Sequence, residues 1–313
     1  MIAISVMPVT QELLVSVYHL PQSIHHTIMA ILGPIWKNRY IGVIILAQLA
    51  IIGSNAGSRV EKGRILRLTG KNFAVDINVA THADLMAQVT HRFEGKQGFA
   101  LATINLDHVT KLESSAPFRV AYSAQDLVVA DGNPIVWLSR LAKAPVDLMP
   151  GSELVVPLAR LAASAGVSAA LIGSSKASLE AAGKALQGQA KGLQIAYIHA
   201  PEFGFDPTGE AARAILKELD ASGAGLAFLA LGAPKQEVFA ALGRKLAPRV
   251  GFASIGAGLD FLSGTQVRAP KWVRRIAMEW FWRMASNPRR MFMRYAHCAL
   301  VLPGLAWRAY RSR

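Results

Sequence analysis

From residue 64 onward, short apolar runs of strand length alternate with longer stretches in which Ala and Leu recur at helical spacing. The runs at 73–77, 99–104, 127–130, 168–172, 193–198, 226–231 and 251–255 predict strands. The stretches at 83–92, 134–142, 153–165, 176–187, 209–220 and 235–246 predict helices. Strands bounded by Gly and Asp and separated by helices of ten or more residues predict βαβ units, hence an α/β fold on a mostly parallel sheet. No internal repeat and no low-complexity linker interrupts the pattern.

The pattern changes toward the C-terminus. Trp272, Ile276, Trp280 and Met284 recur every four residues and predict a helix with one apolar stripe, while Lys271, Arg274 and Arg275 lie largely off it. A second helix is predicted from Asn287-Pro288, a capping side chain followed by proline at the first helical position. Residues 265–313 hold eleven Lys and Arg and one acid, Glu279, for a net of +10 out of the chain's +14. Four of the six tryptophans fall in the same stretch. Cations interleaved with indole rings suit an anionic partner, namely a membrane surface, a diphosphate or a nucleic acid.

The rest of the chain narrows that choice. Outside the tail the net charge is only +4, and no helix-turn-helix, zinc-finger or RNP pattern occurs, so no nucleic-acid partner is expected. The single cysteine, Cys298, excludes an intramolecular disulfide and a Cys-based zinc site, and fits a reducing cytoplasm. An apolar content of 52% lies above the soluble average without reaching that of a polytopic membrane protein. Near the N-terminus an uncharged segment, 40–58, contains a strongly apolar run at 41–52. A spanning helix needs roughly twenty such residues. Three readings stay open for it: a membrane-associated or marginally spanning helix, a dispensable extension, or a signal used from a later start such as Met29. The expected organisation is an extension at 1–63, a catalytic domain at 64–264 and a basic helical appendage at 265–313.

In an open parallel sheet, ligands sit at the carboxyl ends of the strands. The residues there are unusually polar in this chain: Thr103 and Asn105; Asp131-Gly132-Asn133-Pro134; Gly173-Ser174-Ser175; Gly232-Ala233-Pro234-Lys235-Gln236-Glu237; and Gly256-Ala257-Gly258. The Gly-Ser-Ser and Gly-Ala-Gly turns have the chemistry to offer backbone N–H groups to phosphate. Neither completes G-x-G-x-x-G, and no acid closes the run at 193–198 to hold a ribose. A P-loop, a G-x-S-x-G nucleophile and a His pair at metal spacing are all absent, and His108 and His199 read as packed or surface residues rather than ligands. With no Asp-x-Asp pair, any diphosphate charge would have to be balanced by Arg, Lys and backbone dipoles, so neither a metal nor another cofactor is expected.

Taken in order, these segments resemble the WecG/TagA/CpsF family of glycosyltransferases. The resemblance runs through Thr-Ile-Asn-Leu-Asp (103–107), Ala-Asp-Gly-Asn-Pro (130–134), Pro-Gly-Ser-Glu-Leu (150–154) and Gly-Ala-Pro-Lys-Gln-Glu (232–237). It continues through Gly-Ala-Gly-Leu-Asp-Phe-Leu-Ser-Gly (256–264), Arg-Ala-Pro-Lys-Trp (268–272), Glu-Trp (279–280) and Asn-Pro-Arg-Arg (287–290). It implies a Rossmann-like sheet with a helical appendage. The implied activity is inverting transfer of a sugar, usually from a UDP-linked donor, to a polyprenyl-diphosphate-linked sugar in surface polysaccharide assembly. The family's catalytic Asp falls on Asp131, while Thr103 and Asn105 match its pocket motif. Substrate contacts are expected from Gly132, Gly151, Ser152, Gly173, Ser174, Gly232, Pro234, Lys235, Gln236, Glu237, Gly256 and Gly258, and from Arg268, Arg289 and Arg290 closing over the site. The expected location is the cytoplasmic face of the cell membrane, with homo-oligomer formation left open. A catalytically silent nucleotide-sugar-binding or scaffold protein of the same fold is the alternative.

Overall fold

A computed structural model describes residues 65–266, 269–270, 279, 282 and 288–313, with the side chains of the last helix described from residue 293. All belong to the larger of two compact units, Glu61–Arg313. The expectations for 1–63, for the helix around 272–284 and for Arg268 lie outside the described residues, as do the side chains of Arg289 and Arg290.

The chain opens with β1 (Leu66–Thr69) and β2 (Ala74–Ile77), followed by α1 (His82–Glu94), β3 (Phe99–Ile104), α2 (Leu106–Ser114), α3 (Ala116–Ser123) and β4 (Leu127–Ala130). Next come α4 (Asn133–Leu141), α5 (Gly151–Ser164), β5 (Ala169–Gly173), α6 (Lys176–Gln189), β6 (Ile195–His199) and α7 (Glu210–Ala221). The order closes with β7 (Leu226–Ala230), α8 (Lys235–Leu246), β8 (Gly251–Ser254), α9 (Gly258–Leu262) and α10 (Pro288–Arg311). Six strands form one parallel sheet in the order β4-β3-β8-β7-β5-β6. The expected α/β architecture is therefore present. The run predicted at 73–77 lies elsewhere: it forms an antiparallel hairpin with β1, pairing Leu66 with Ile77, and takes no part in the main sheet.

Helices cover both faces of the sheet, so its central strands are apolar on both sides. All six residues of β3 are buried. Phe99 and Leu101 join a core with Leu85, Val89 and Phe93 of α1 and Leu154 and Leu158 of α5, whereas Ala100, on the opposite face, packs with Phe239 of α8 and Phe252. On α1 the spacing of four residues lines Leu85, Val89 and Phe93 along one face, and the Thr81 hydroxyl caps its first turn by accepting from Asp84 N. Truncating a core side chain such as Leu85 to Ala would cost about 2–5 kcal/mol. A third cluster gathers the hairpin, α2, α3, α4 and the inner face of α10 around Ile104 and Ala130. It fixes the carboxyl ends of β3 and β4.

Candidate active site

The strand order sets the site. β3 leads to its outer neighbour β4, but its inner neighbour is β8, the last strand among the described residues. The residues after β3, β4, β7 and β8 thus meet at one edge of the sheet from distant parts of the sequence, at the kind of switch point where α/β proteins bind ligands. Parallel pairing of Ile104 with Ala130 brings Asn105 beside Asp131, and Asp131 N donates to Ile104 O at 2.7 Å.

Asn105 does two jobs with one amide. Its Oδ1 accepts from His108 N at 3.1 Å and starts α2, while its Nδ2 donates to Asp131 Oδ2 at 3.2 Å. His108 Nδ1 accepts from Asn105 N at 3.3 Å, completing a reciprocal cap. Asp131 is half-buried; Gly132, next in the chain, takes φ 103°, a conformation a side-chain-bearing residue rarely adopts, and turns the chain into α4. Thr103, expected in the same pocket, is only 3% exposed.

Below this pair lies a layer of buried polar groups. Gln236 uses both ends of its amide internally: Nε2 donates to Glu237 Oε1 at 2.9 Å, and Oε1 accepts from Gly256 N at 3.1 Å. It thereby links the loop after β7 to the turn after β8. Glu237 is 0% exposed and His108 5% exposed, with His108 Nε2 3.7 Å from Glu237 Oε1. The separation is that of an ion pair, but burial opposes charge on both groups. It pushes the Glu237 carboxyl up to about 7 and the His108 imidazole down to about 3, the latter helped by the nearby charge of Lys111. The pair is therefore best described as neutral in mildly acidic solution. Burial, then the charges of Glu237 and Asp131, raises the Tyr122 hydroxyl far above its ordinary range.

The remaining expected residues occupy several places. Lys235 donates to Phe205 O at 2.7 Å, and Pro234 is exposed beside it. Gly151 opens α5 so close to β8 that a Cβ there would stand 3.0 Å from Ile255 Cα, and Ser152 follows it half-buried. Gly258, at the start of α9, is equally crowded, with Val155 2.8 Å from where a Cβ would lie. Gly232 and Gly256 instead have open space at that point among the described residues. Gly173 and Ser174 lie at the end of β5, separated from β3 by β7 and β8 and so roughly 14 Å along the edge. There the hydroxyls of Ser174 and Ser178 both donate to Asp260 Oδ1, and Gln266 Nε2 donates to Oδ2 at 2.9 Å. Asp131 and Asn105 thus share one end of the edge, and Ser174 the other. Glu237 was expected to touch substrate; in this structure it is sealed beneath the site.

Residues 71–313, well over half the chain, match the family model described as "Glycosyl transferase WecG/TagA/CpsF family". The chain belongs to the WecG/TagA/CpsF glycosyltransferase family. Membership makes it a transferase acting on glycosyl donors and acceptors. Two features of this family member were not visible as site chemistry in its sequence. One is the His108–Glu237 pair, whose members are far apart in the chain. The other is Asp107, 12% exposed at its side chain, which holds Lys111 Nζ at 2.6 Å and Arg294 Nε of α10 at 2.9 Å. Lys111 Nζ also donates to Ala233 O at 3.1 Å. Burial works to raise the Asp107 carboxyl, but the Lys111 hydrogen bond and the charges of Arg294 and Lys111 prevail and hold it below its ordinary range. The sequence marks this cluster only by Asp107 as the last residue of the 103–107 motif and by its spacing from Lys111 on one helix face.

Proposed function

We propose that this glycosyltransferase moves a sugar, with inversion, from a nucleoside-diphosphate donor, UDP-linked in the first instance, to a polyprenyl-diphosphate-linked sugar during surface polysaccharide assembly. The observation that carries the mechanism is the Asn105–Asp131 hydrogen bond at the carboxyl ends of adjacent parallel strands. The carboxylate is fixed by an amide N–H, a contact that favours its ionised form. In the proposed step the Asp131 carboxylate takes the proton of the acceptor hydroxyl. The acceptor oxygen bonds to the anomeric carbon from the face opposite the nucleotide. The anomeric C–O bond breaks and its electron pair leaves with the nucleoside diphosphate. Lys235 and the arginines of the tail are assigned to the leaving diphosphate, where cationic donors act most strongly on developing negative charge. The roles of Thr103 and the glycine turns in substrate positioning belong to the same proposal.

Membrane location is proposed on the outward face of α10. Met293, Leu300, Trp307 and Tyr310 are exposed there, with the Arg311 guanidinium 5.9 Å from the Trp307 ring centroid and the Arg313 guanidinium 4.1 Å from that of Tyr310. Apolar and aromatic groups flanked by cations suit an anionic lipid surface on which the protein lies. Among the described residues no helix is long and apolar enough to cross a membrane.

The direct test is a screen of nucleotide sugars against short-chain lipid diphosphate acceptors, with the product's anomeric configuration determined by NMR. Transfer with retained configuration would exclude the single-displacement step. Since the sequence has no Asp-x-Asp pair, turnover should persist in EDTA. Loss on chelation with rescue by Mn²⁺ or Mg²⁺ would show a metal requirement.

A further inference from the structure

The His108–Glu237 pair has no part in the step just described, yet it lies directly behind the residue that holds the base. Tracing outward from the interior gives the order Gly256 N, Gln236 amide, Glu237 carboxyl, His108 imidazole, Asn105, Asp131 carboxyl, every link a hydrogen bond except the 3.7 Å contact between Glu237 and His108. These contacts connect the ends of β8, β7, β3 and β4. In a conventional capping box the residue three places into the helix is Glu or Gln, which accepts from the cap's backbone N–H. Here that residue is His108, and its ring is enclosed by Phe118, whose centroid is 6.1 Å away, and Tyr122, also at 6.1 Å. With Nδ1 accepting from Asn105 N, the neutral ring carries its hydrogen on Nε2, the atom nearest Glu237. The ring is thus packed against two tilted aromatic side chains, and each nitrogen faces a polar group.

We infer that His108 is a positioning residue for Asp131: by holding the Asn105 backbone it sets the amide that orients the carboxylate, with Glu237 behind the ring to keep it in place. The inference rests on the reading of Asp131 as the base. The charged and titratable groups surrounding His108 are Asp107 and Lys111 on its own helix, Tyr122 on α3, Glu237 on α8 and Arg294 on α10, and the Thr103 backbone also acts on the ring. None of these stands between Asn105 Nδ2 and Asp131 Oδ2, which are in direct contact.

The role predicts a kinetic signature that loss of packing alone would not produce. His108→Leu removes the acceptor for Asn105 N; His108→Gln keeps an acceptor at the usual capping-box atom. With saturating substrates, His108→Leu should lower kcat about tenfold per folded molecule and leave the KM for the donor unchanged. Because the Asn105 amide favours the ionised carboxylate, the acid limb of the kcat/KM profile should move to higher pH. His108→Gln should hold kcat within about threefold, with the limb unmoved. In an Asp131→Asn background, His108→Leu should cost no further rate, since residues acting through one group are not additive. Should His108→Leu not fold, His108→Gln carries the test on its own: a tenfold loss or a moved limb in that variant would overturn the role. So would full activity in folded His108→Leu. If Asp131→Asn itself retains turnover, the underlying reading of the base has failed; if only the His108 variants depart from expectation, this inference has failed and the base stands.

Discussion

The edge of the sheet and the C-terminal helix α10 are held by different forces. At the edge, Gln236, Glu237 and His108 are sealed from water, and their positions follow from strand register and apolar packing on both faces. Among its described side chains, helix α10 buries only Cys298, Leu305 and Ala309, rests Val301, Leu302 and Ala306 half-buried against the core around the hairpin, and adds several polar ties. Arg294 meets Asp107, Arg308 Nε donates to Thr69 O, and Arg313 Nε donates to Leu141 O. Close packing gives a site whose geometry does not depend on ionic strength, whereas a helix tied in part by partly exposed charges answers to salt and to an anionic surface. The division suits the proposed membrane-docked transferase, which would keep a fixed reacting centre while α10 meets the lipid surface.

The largest expected effect breaks the chemistry and leaves the packing whole. Asp131→Asn keeps side-chain volume at a half-buried position but cannot accept the acceptor's proton, so kcat should fall on the order of 10²–10⁴ with little change in Tm. Near-wild-type turnover in the folded variant would remove Asp131 from the role of base.

Next comes the outward face of α10. Deleting the tail would also strip Leu305 and Ala309 from the core around the hairpin, so substitution of exposed residues is the cleaner probe. Leu300 is 74% exposed and Trp307 61% exposed, and changing both to Ser should leave Tm nearly unaltered. Partitioning onto phosphatidylglycerol-containing liposomes should drop about tenfold or more, since burying either side chain is worth roughly 1.5–3 kcal/mol. Undiminished partitioning would place the membrane contact elsewhere in the chain.

The same contrast explains what could be read from the sequence. Strands 99–104, 127–130 and 226–231 were legible within a residue because a buried strand in a parallel sheet is a continuous apolar run with turn residues at its ends. Helices α2 and α3 leave no comparable signal: each is short, they share Ser115 at their junction, and Pro117 interrupts the helical pattern. Yet α2 carries His108, Asp107 and Lys111. The strand at 73–77 was recognised as a strand, but its partner β1 lies in a basic segment, Arg64-Ile65-Leu66-Arg67, with little to mark it as half of a hairpin. Asp131, Asn105 and Gln236 stood out because motif order supplied what spacing could not. The contact between His108 and Glu237 depends on strand order and on the packing of α3 and α8, which no local pattern encodes.

A smaller effect tests whether the interior pair is neutral. Glu237 is raised from 4.5 to about 7, so its contribution to stability is present below 4.5 and lost as pH rises through about 7. His108 is lowered from 6.5 to about 3, so its contribution is present above 6.5 and lost as pH falls through about 3. Between 4.5 and 6.5 the folded pair carries one proton on Glu237, and the unfolded pair carries one on His108, so the two slopes cancel. Glu237→Gln removes one side of that balance. Across this window the variant's stability should climb with pH relative to wild type, on the order of 1 kcal/mol per pH unit. Urea unfolding at three pH values measures it, and parallel curves for the two proteins would mean that the pair is charged in the fold.

The smallest effect concerns the tie between the two regions. Asp107 receives Lys111 and Arg294 on its two oxygens, but both cations are about one-third exposed at their side chains, so water and salt screen much of the attraction. Asp107→Asn should therefore cost at most about 1 kcal/mol of global stability. Its sign with pH follows from a lowered carboxyl: the contribution is present above the ordinary value of 3.8 and disappears as pH falls below it. High salt should shrink the difference from wild type for the same reason. The change should be concentrated in α10, whose amides would exchange faster near Arg294 while those of β3 and β8 keep their protection. Equal acceleration in the sheet would mean that Asp107 supports the core as a whole, and the contrast between a packed edge and a charge-tethered helix would then be drawn in the wrong place.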